Sequence, residues 1–291
     1  MTNEAVNNIS YQKPKVFLIN ESGIGVSEIA ARTCYDSFHL SENKEVSDFK
    51  LFLDKDIKKL PEINTIESSE LLDTLSWTHF HHSILEHSTL SFYIQDTSRG
   101  VLQEHARHRI QAISVRSTRY TMSTLLNIFL ASFAYNGINP KAFFIEKVLK
   151  LDMLVTQDKD YNIIEISTMY DKLKYQFQEK DFSSIASKEA ILIVNQREHL
   201  NQSEMLLLLN DCKKKRNVGD TVKHIVTDNW KVDLVVTFNI RSLKNYFDLR
   251  DSGAAYFQIR WLAELMKEST PIKYLKLIDK RTKESLNERN I

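Results

Sequence analysis

Glycine and proline are scarce in this chain, six and four among 291 residues. So few backbone breakers imply long regular elements and few tight turns. Cysteine is scarcer: Cys34 and Cys212 stand far apart and in no metal-ligand spacing. That argues against a disulfide framework and for a reducing compartment. Long apolar runs are missing as well. The longest, Leu125 to Tyr135, is interrupted by Asn127 and Ser132 and is too short to span a bilayer. The opening Met1-Thr2-Asn3-Glu4-Ala5 has neither the basic start nor the apolar run of a secretion signal. The expectation is a cytoplasmic protein without membrane association. Excess charge is absent too: 39 Lys and Arg against 38 Asp and Glu leave +1. A general binder of nucleic acid or of membrane surfaces is usually far more basic, so positive charge must act locally here.

What is present is a mixture of periodicities. Lys15-Val16-Phe17-Leu18-Ile19-Asn20 reads as an early strand, residues 26–35 as a helix, and residues 67–80 as a helix leading to His87. Thr89, Ser91 and Tyr93 alternate with Leu90, Phe92 and Ile94, the pattern of a half-buried strand. Asp96, Thr97 or Ser98 is placed to cap the helix that follows. Leu234 to Phe238 is an apolar run of strand length, with helices expected near 241–250 and 254–267. The Lys- and Leu-rich stretch 121–215 reads as mostly helical, with Met205 to Leu209 as core. The polar tail from Lys280 to Ile291 reads as a fraying end. No repeat, low-complexity linker or βαβ alternation is seen. The expected architecture is α+β, a mixed sheet flanked by long helices, in a single domain spanning 1–291 with 121–215 as its divergent part.

The densest chemistry lies in Arg107-His108-Arg109 and, after seven intervening residues, Ser117-Thr118-Arg119-Tyr120. The 13 residues from Arg107 to Arg119 hold four arginines, one histidine and three hydroxyls. Like charges repel, so a compact fold keeps such a cluster when something anionic offsets it. Guanidinium forks match phosphate oxygens bidentately, and hydroxyl or backbone donors complete the cage. Ile110, Ala112, Ile113 and Val115 interrupt the cluster and are expected to be at least half buried, which a solvated helix face would not require. The residues therefore favour an anion site.

With their surroundings, these residues resemble the signature of flavin-dependent thymidylate synthases: Arg-His-Arg, seven residues, then Ser-x-Arg-Tyr. Three flanking stretches match in the family's order. Leu85-Glu86-His87 leads into a strand at Thr89, Ser98-Arg99-Gly100-Val101-Leu102-Gln103 opens a helix, and Asn239-Ile240-Arg241-Ser242-Leu243-Lys244-Asn245-Tyr246-Phe247-Asp248-Leu249-Arg250 is similar to the second signature block. The resemblance covers roughly residues 70–120 and 220–265 well and the middle hardly at all.

The resemblance implies the family's fold and the reductive methylation of dUMP to dTMP. Methylenetetrahydrofolate would give the carbon, and FAD recharged by NADPH the hydride. It also implies a homotetramer whose pockets draw on more than one subunit. Arg107, His108 and Arg109 would face the flavin and nucleotide phosphates, His108 switching between donor-acceptor and double-donor states. Ser117, Thr118 and Arg119 would grip the dUMP phosphate and sugar. His87 and Thr89 would approach flavin and folate, and Asn239, Arg241 and Asn245 would hold the flavin. Arg250 would stabilise the uracil ionised at its imide nitrogen, a contribution of about 2–4 kcal/mol in a dry pocket. Neither cysteine lies near a motif, so activation without a thiolate is expected. Local alternatives stay open: Ser117 as a helix cap, Arg250 paired with Asp248 or Asp251, and His87 as a core histidine.

Four positions depart from the family pattern. Ser114 and Val115 stand where Asn and an acidic residue are common. Glu104 replaces Gln in the dUMP site, and there it either accepts from a base or sugar hydroxyl or pairs with an arginine. Lys223 replaces an arginine for dUMP, keeping the charge without the fork. The residues admit two other readings. His79, His81, His82 and His87 could mark a metal hydrolase, but their spacing and lone neighbour Glu86 do not fit a ligand set, and no metal is expected. The Arg99–Arg119 cluster with Lys213-Lys214-Lys215-Arg216 could bind nucleic acid, but the interleaved Ile and Val argue against it.

Overall fold

The structure is a computed structural model that describes residues 13–54, 62–117, 155–157, 163–165, 228 and 231–289. The chain divides into two compact units. One draws on Met1–Pro14, Asp96–Gln103 and Val115–Asp233, the other on Lys15–Gln95, Glu104–Ser114 and Leu234–Ile291. Its strands are β1 (Lys15–Glu21), β2 (Thr89–Ser98), β3 (Gln111–Val115), β4 (Val155–Gln157), β5 (Ile163–Glu165) and β6 (Lys231–Asn239). Four of them form a sheet in the order β1-β2-β6-β3, while β4 and β5 pair antiparallel by themselves. The α+β expectation holds. Of the stretch 121–215 only β4 and β5 are described, so its expected helices and Met205 to Leu209 lie outside the described residues.

The sheet forms where side chains alternate. β1 runs antiparallel to β2, with Lys15 opposite Gln95 and Glu21 opposite Leu90, and the register slips at Ile19. Leu90, Phe92 and Ile94 of β2 and Leu234, Val236 and Phe238 of β6 are all buried, as period-2 patterning demands. On the other face Ser91 and Thr237 meet hydroxyl to hydroxyl at 2.8 Å, a cross-strand polar pair.

Ile110, Ala112 and Ile113 depart from expectation. They are exposed, Ile110 at 69% and Ile113 at 36%, while Val115 is partly buried. The reason is position: β3 is an outer strand of the sheet, so a neighbouring strand covers only one side of it.

The helices are α1 (Gly25–Tyr35), α2 (Lys44–Ser47), α3 (Phe49–Asp54), α4 (Glu70–Trp77), α5 (Arg99–Ala106), α6 (Ile240–Arg250), α7 (Phe257–Glu268), α8 (Ile272–Ile278) and α9 (Lys280–Arg289). Gly23 and Gly25 explain where the scarce glycines went. A Cβ at Gly23 would sit 2.4 Å from Asn64 Cα, and one at Gly25 would sit 2.4 Å from the Ile63 carbonyl oxygen. α4 is shorter than the 67–80 pattern. Ser69 caps its start by accepting from the Leu72 N–H, and beyond Trp77 the backbone turns through Phe80 in the left-handed region into a 3-10 turn at His82–Glu86. Ser98 is the cap of α5, accepting from the Val101 N–H at 3.3 Å. In α7, Ile259, Leu262, Ala263 and Met266 are fully buried at i, i+3, i+4 and i+7. The polar tail is helical from Lys280 to Arg289. Asp279 caps α9 by accepting from the Thr282 N–H at 3.1 Å, and Lys283 pairs with Asp73. Among the described residues, no helix is long and apolar enough to cross a membrane.

Candidate active site

Two segments far apart in sequence build one cavity. The first is the loop between α5 and β3. There the His108 N–H donates to the His105 carbonyl at 3.1 Å, and the Gln111 side-chain amide donates to the same oxygen at 2.9 Å. These bonds make the loop turn tightly and present Arg107, His108, Arg109 and Ile110. The second is α6, started by Asn239, whose Oδ1 accepts from the Ser242 N–H at 2.8 Å. Ile240, Leu243, Tyr246 and Phe247 bury one side of α6, leaving Arg241, Asn245 and Leu249 as a stripe at i, i+4 and i+8. Together with Glu86, Ser242 and Arg250 these residues line a cavity of about 810 Å³.

Four arginines around one space require compensation, and it is visible. Arg241 pairs with Glu86. Arg250 donates from Nε to His108 Nε2 at 2.8 Å, from NH2 to the Glu104 carbonyl at 3.4 Å, and pairs through NH1 with Glu104 Oε2 at 3.0 Å. Glu104 also faces Arg107 at 3.5 Å. Burial, then the positive charge of Arg250, lowers the His108 pKa to about 4. Near pH 7 this favours His108 as the uncharged acceptor for the Arg250 Nε–H. Beneath it lies Tyr246, fully buried, its ring 4.7 Å from that of His108 and 5.1 Å from that of His105. Tyr246 Oη and His105 Nδ1 are 3.1 Å apart. Burial pushes the Tyr246 pKa up and that of His105 down to about 3, so both stay neutral. His105 Nε2 is buried with no hydrogen-bond partner among the described residues.

A model of the thymidylate synthase complementing protein family matches residues 18–271. The chain belongs to that family. It is 26% identical over 259 residues to the flavin-dependent thymidylate synthase of Wolinella succinogenes, covering 88% of this chain and 93% of the relative. It is 27% identical over 257 residues to that of Campylobacter jejuni strain RM1221, covering 88% and 92%. Two crystal structures of Helicobacter pylori thymidylate synthase X, each described with FAD and dUMP, share the fold. The TM-scores are 0.53 and 0.55, at 22% and 23% identity, covering 91% of this chain in both cases and 97% and 98% of the others.

Of the residues that the family signature singles out, the cavity brings together Arg107, His108, Arg109, Arg241, Asn245 and Arg250. His87, Thr89 and Asn239 are not among its lining. His87 is exposed after the 3-10 turn rather than a core histidine, and the half-buried Thr89 donates its N–H to the Ser22 hydroxyl oxygen at 2.8 Å. Ser117 is exposed just past β3 and belongs to the other unit. Thr118, Arg119 and Lys223 lie outside the described residues. Arg250 pairs with neither Asp248 nor Asp251, which take Lys244 and Lys267 instead. For the four histidines His79, His81, His82 and His87, the described residues contain no group of three potential metal ligands. The signature did not single out Glu86 as the partner of Arg241, nor the buried pair of His105 and Tyr246.

Proposed function

We propose that this chain catalyses the reductive methylation of dUMP to dTMP, with methylenetetrahydrofolate as carbon donor and FAD reduced by NADPH. The observation that carries the reading is the convergence of Arg107, Arg109, Arg241 and Arg250 on one cavity of about 810 Å³, in a chain of net charge +1. The lining suits the two anionic ligands. Guanidiniums match phosphate and ring-carbonyl oxygens, and Ile110 and Leu249 offer apolar surface to flat rings. When bound, FAD supplies the hydride.

The chain's own residues bind and orient. Arg107 and Arg109 take phosphate charge, with His108 as a neutral acceptor between them. Arg241 and Asn245 hold the flavin from α6, with His87, Thr89 and Asn239 at its margin. Ser117, Thr118, Arg119 and Lys223 complete the dUMP grip. Arg250, with a guanidinium fixed by three contacts, sets positive charge where the uracil anion develops, so no reorganisation is needed during reaction. The working form is a cytoplasmic homotetramer of single-domain subunits with shared pockets.

The test is direct. The purified chain should be yellow, and dTMP should appear only when dUMP, methylenetetrahydrofolate and NADPH are all supplied. No product from the complete mixture with flavin bound would overturn the reading.

A further inference from the structure

Arg250 is constrained before any ligand arrives. Nε donates to His108, NH2 to the Glu104 carbonyl, and NH1 pairs with Glu104 Oε2 at 3.0 Å. A guanidinium has five N–H donors, so after these three contacts two are left without a partner among the described residues, in the cavity that Arg250 lines. Glu104 makes two of the three contacts, and its Oε1 faces Arg107 NH1 at 3.5 Å. One carboxylate thus stands between two guanidiniums that belong to the same lining. Its side chain is 34% exposed and that of Arg250 is 17% exposed, so water screens the charge only in part.

We infer that Glu104 is a built-in counter-ion of the nucleotide site, which aims Arg250 while lowering the cavity's affinity for anions. The inference rests on the dUMP reading above and gives Glu104 a role other than direct contact with the substrate. Its two parts separate chemically. The acceptor oxygen orients Arg250, and an amide retains that. The negative charge opposes an incoming phosphate, and an amide removes that. The contact to Arg107 is long and its arginine exposed, so its loss matters little.

The experiment measures dUMP binding by calorimetry to the flavin-loaded protein in four forms: wild type, Glu104→Gln, Glu104→Asp and Glu104→Ala. Glu104→Gln should bind dUMP roughly fivefold more tightly, the effect of removing one nearby charge in a partly screened site. Inorganic phosphate as the titrant should show the same direction. Glu104→Asp keeps the charge and should stay at the wild-type affinity. Glu104→Ala loses the acceptor as well as the charge, so its kcat should fall while KM does not rise. Equal or weaker dUMP binding by Glu104→Gln, beside normal binding by the wild type, overturns the counter-ion role. Absence of dUMP binding by the wild type overturns the function itself and this inference with it.

Discussion

Arg250 and His108 are separated by 142 positions in sequence and by 2.8 Å in space, Nε donating to Nε2. A guanidinium stays protonated, so the histidine must be the acceptor, with a bare Nε2 lone pair. The pair carries a single charge, on the arginine, at the wall of the cavity. Arg250→Ala should therefore lower dTMP formation by at least about a hundredfold, the scale of losing one oriented charge in an active site. On the proposed reading, in which Arg241 and Asn245 hold the flavin, flavin absorbance should persist. Arg250→Lys keeps the charge without the fork and should recover only a small part. Normal turnover by Arg250→Ala would remove this residue from the catalytic role.

The two buried imidazoles make stability depend on pH in a definite direction. Free histidine titrates near 6.5, and burial holds His108 to about 4 and His105 to about 3 in the fold. As pH falls below about 6.5 the unfolded chain takes up protons that the folded chain refuses, so stability drops and the loss levels off near the folded values. Above pH 7 neither group contributes. At pH 5 the loss should be about 1–2 kcal/mol for each histidine. Urea unfolding at pH 7.5 and pH 5 would measure it, and His108→Gln should lose less between the two than the wild type does. Equal losses would mean that His108 takes up its proton as readily in the folded chain as in the unfolded one.

Legibility differed by the kind of order involved. Strands β2 and β6 could be read because alternation over Leu90, Phe92 and Ile94, and the run Leu234 to Phe238, report burial directly. The ends of α4 could not, because Ser69 stops it at one side and the left-handed Phe80 lies beyond the other, and neither conformation is encoded by hydrophobic period. The exposure of Ile110 and Ile113 was misjudged since sequence does not say which strand lies outermost. In the site, the family resemblance implied that Arg107 and Arg250 share one pocket, but the groups that answer their charge were hidden. Glu86 reaches Arg241 across 155 residues, and Tyr246 meets His105 across 141. Such contacts arise from packing, and local patterns carry no trace of them.

Asn239 has a structural duty that can be separated from ligand binding. Its Oδ1 caps α6 on the Ser242 N–H, and α6 carries Arg241, Asn245 and Arg250. Asn239→Ala should cost about 1 kcal/mol, the usual effect of losing such a cap, and lower the thermal midpoint accordingly. Asn239→Asp keeps the acceptor and should restore most of that stability, with a carboxylate favoured at the helix start. If Asp and Ala variants melt alike, the cap is not what anchors this helix.

The far end of α6 is tied down by Lys267. Its ammonium lies 2.6 Å from Asp251 Oδ2 and 3.1 Å from Asp279 Oδ1, and 5.6 Å above the Phe247 ring. Burial disfavours that charge, but the hydrogen bonds to Asp251 and Asp279 outweigh it and raise the lysine pKa. Lys267→Met would leave two mostly buried carboxylates facing each other without their shared cation, since Arg281 is exposed and 3.8 Å from Asp251. The expected loss is about 2–3 kcal/mol, because an orphaned buried charge costs more than the intact bridge contributes. Adding Asp251→Asn to Lys267→Met should recover part of it, and a thermal-melt cycle over the two sites reads the coupling. Additive losses would show that the lysine acts through packing on Phe247 rather than through its charge. Because Asp251 directly follows Arg250, coupled losses accompanied by a fall in kcat at unchanged flavin content would place this ion pair among the supports that aim the guanidinium.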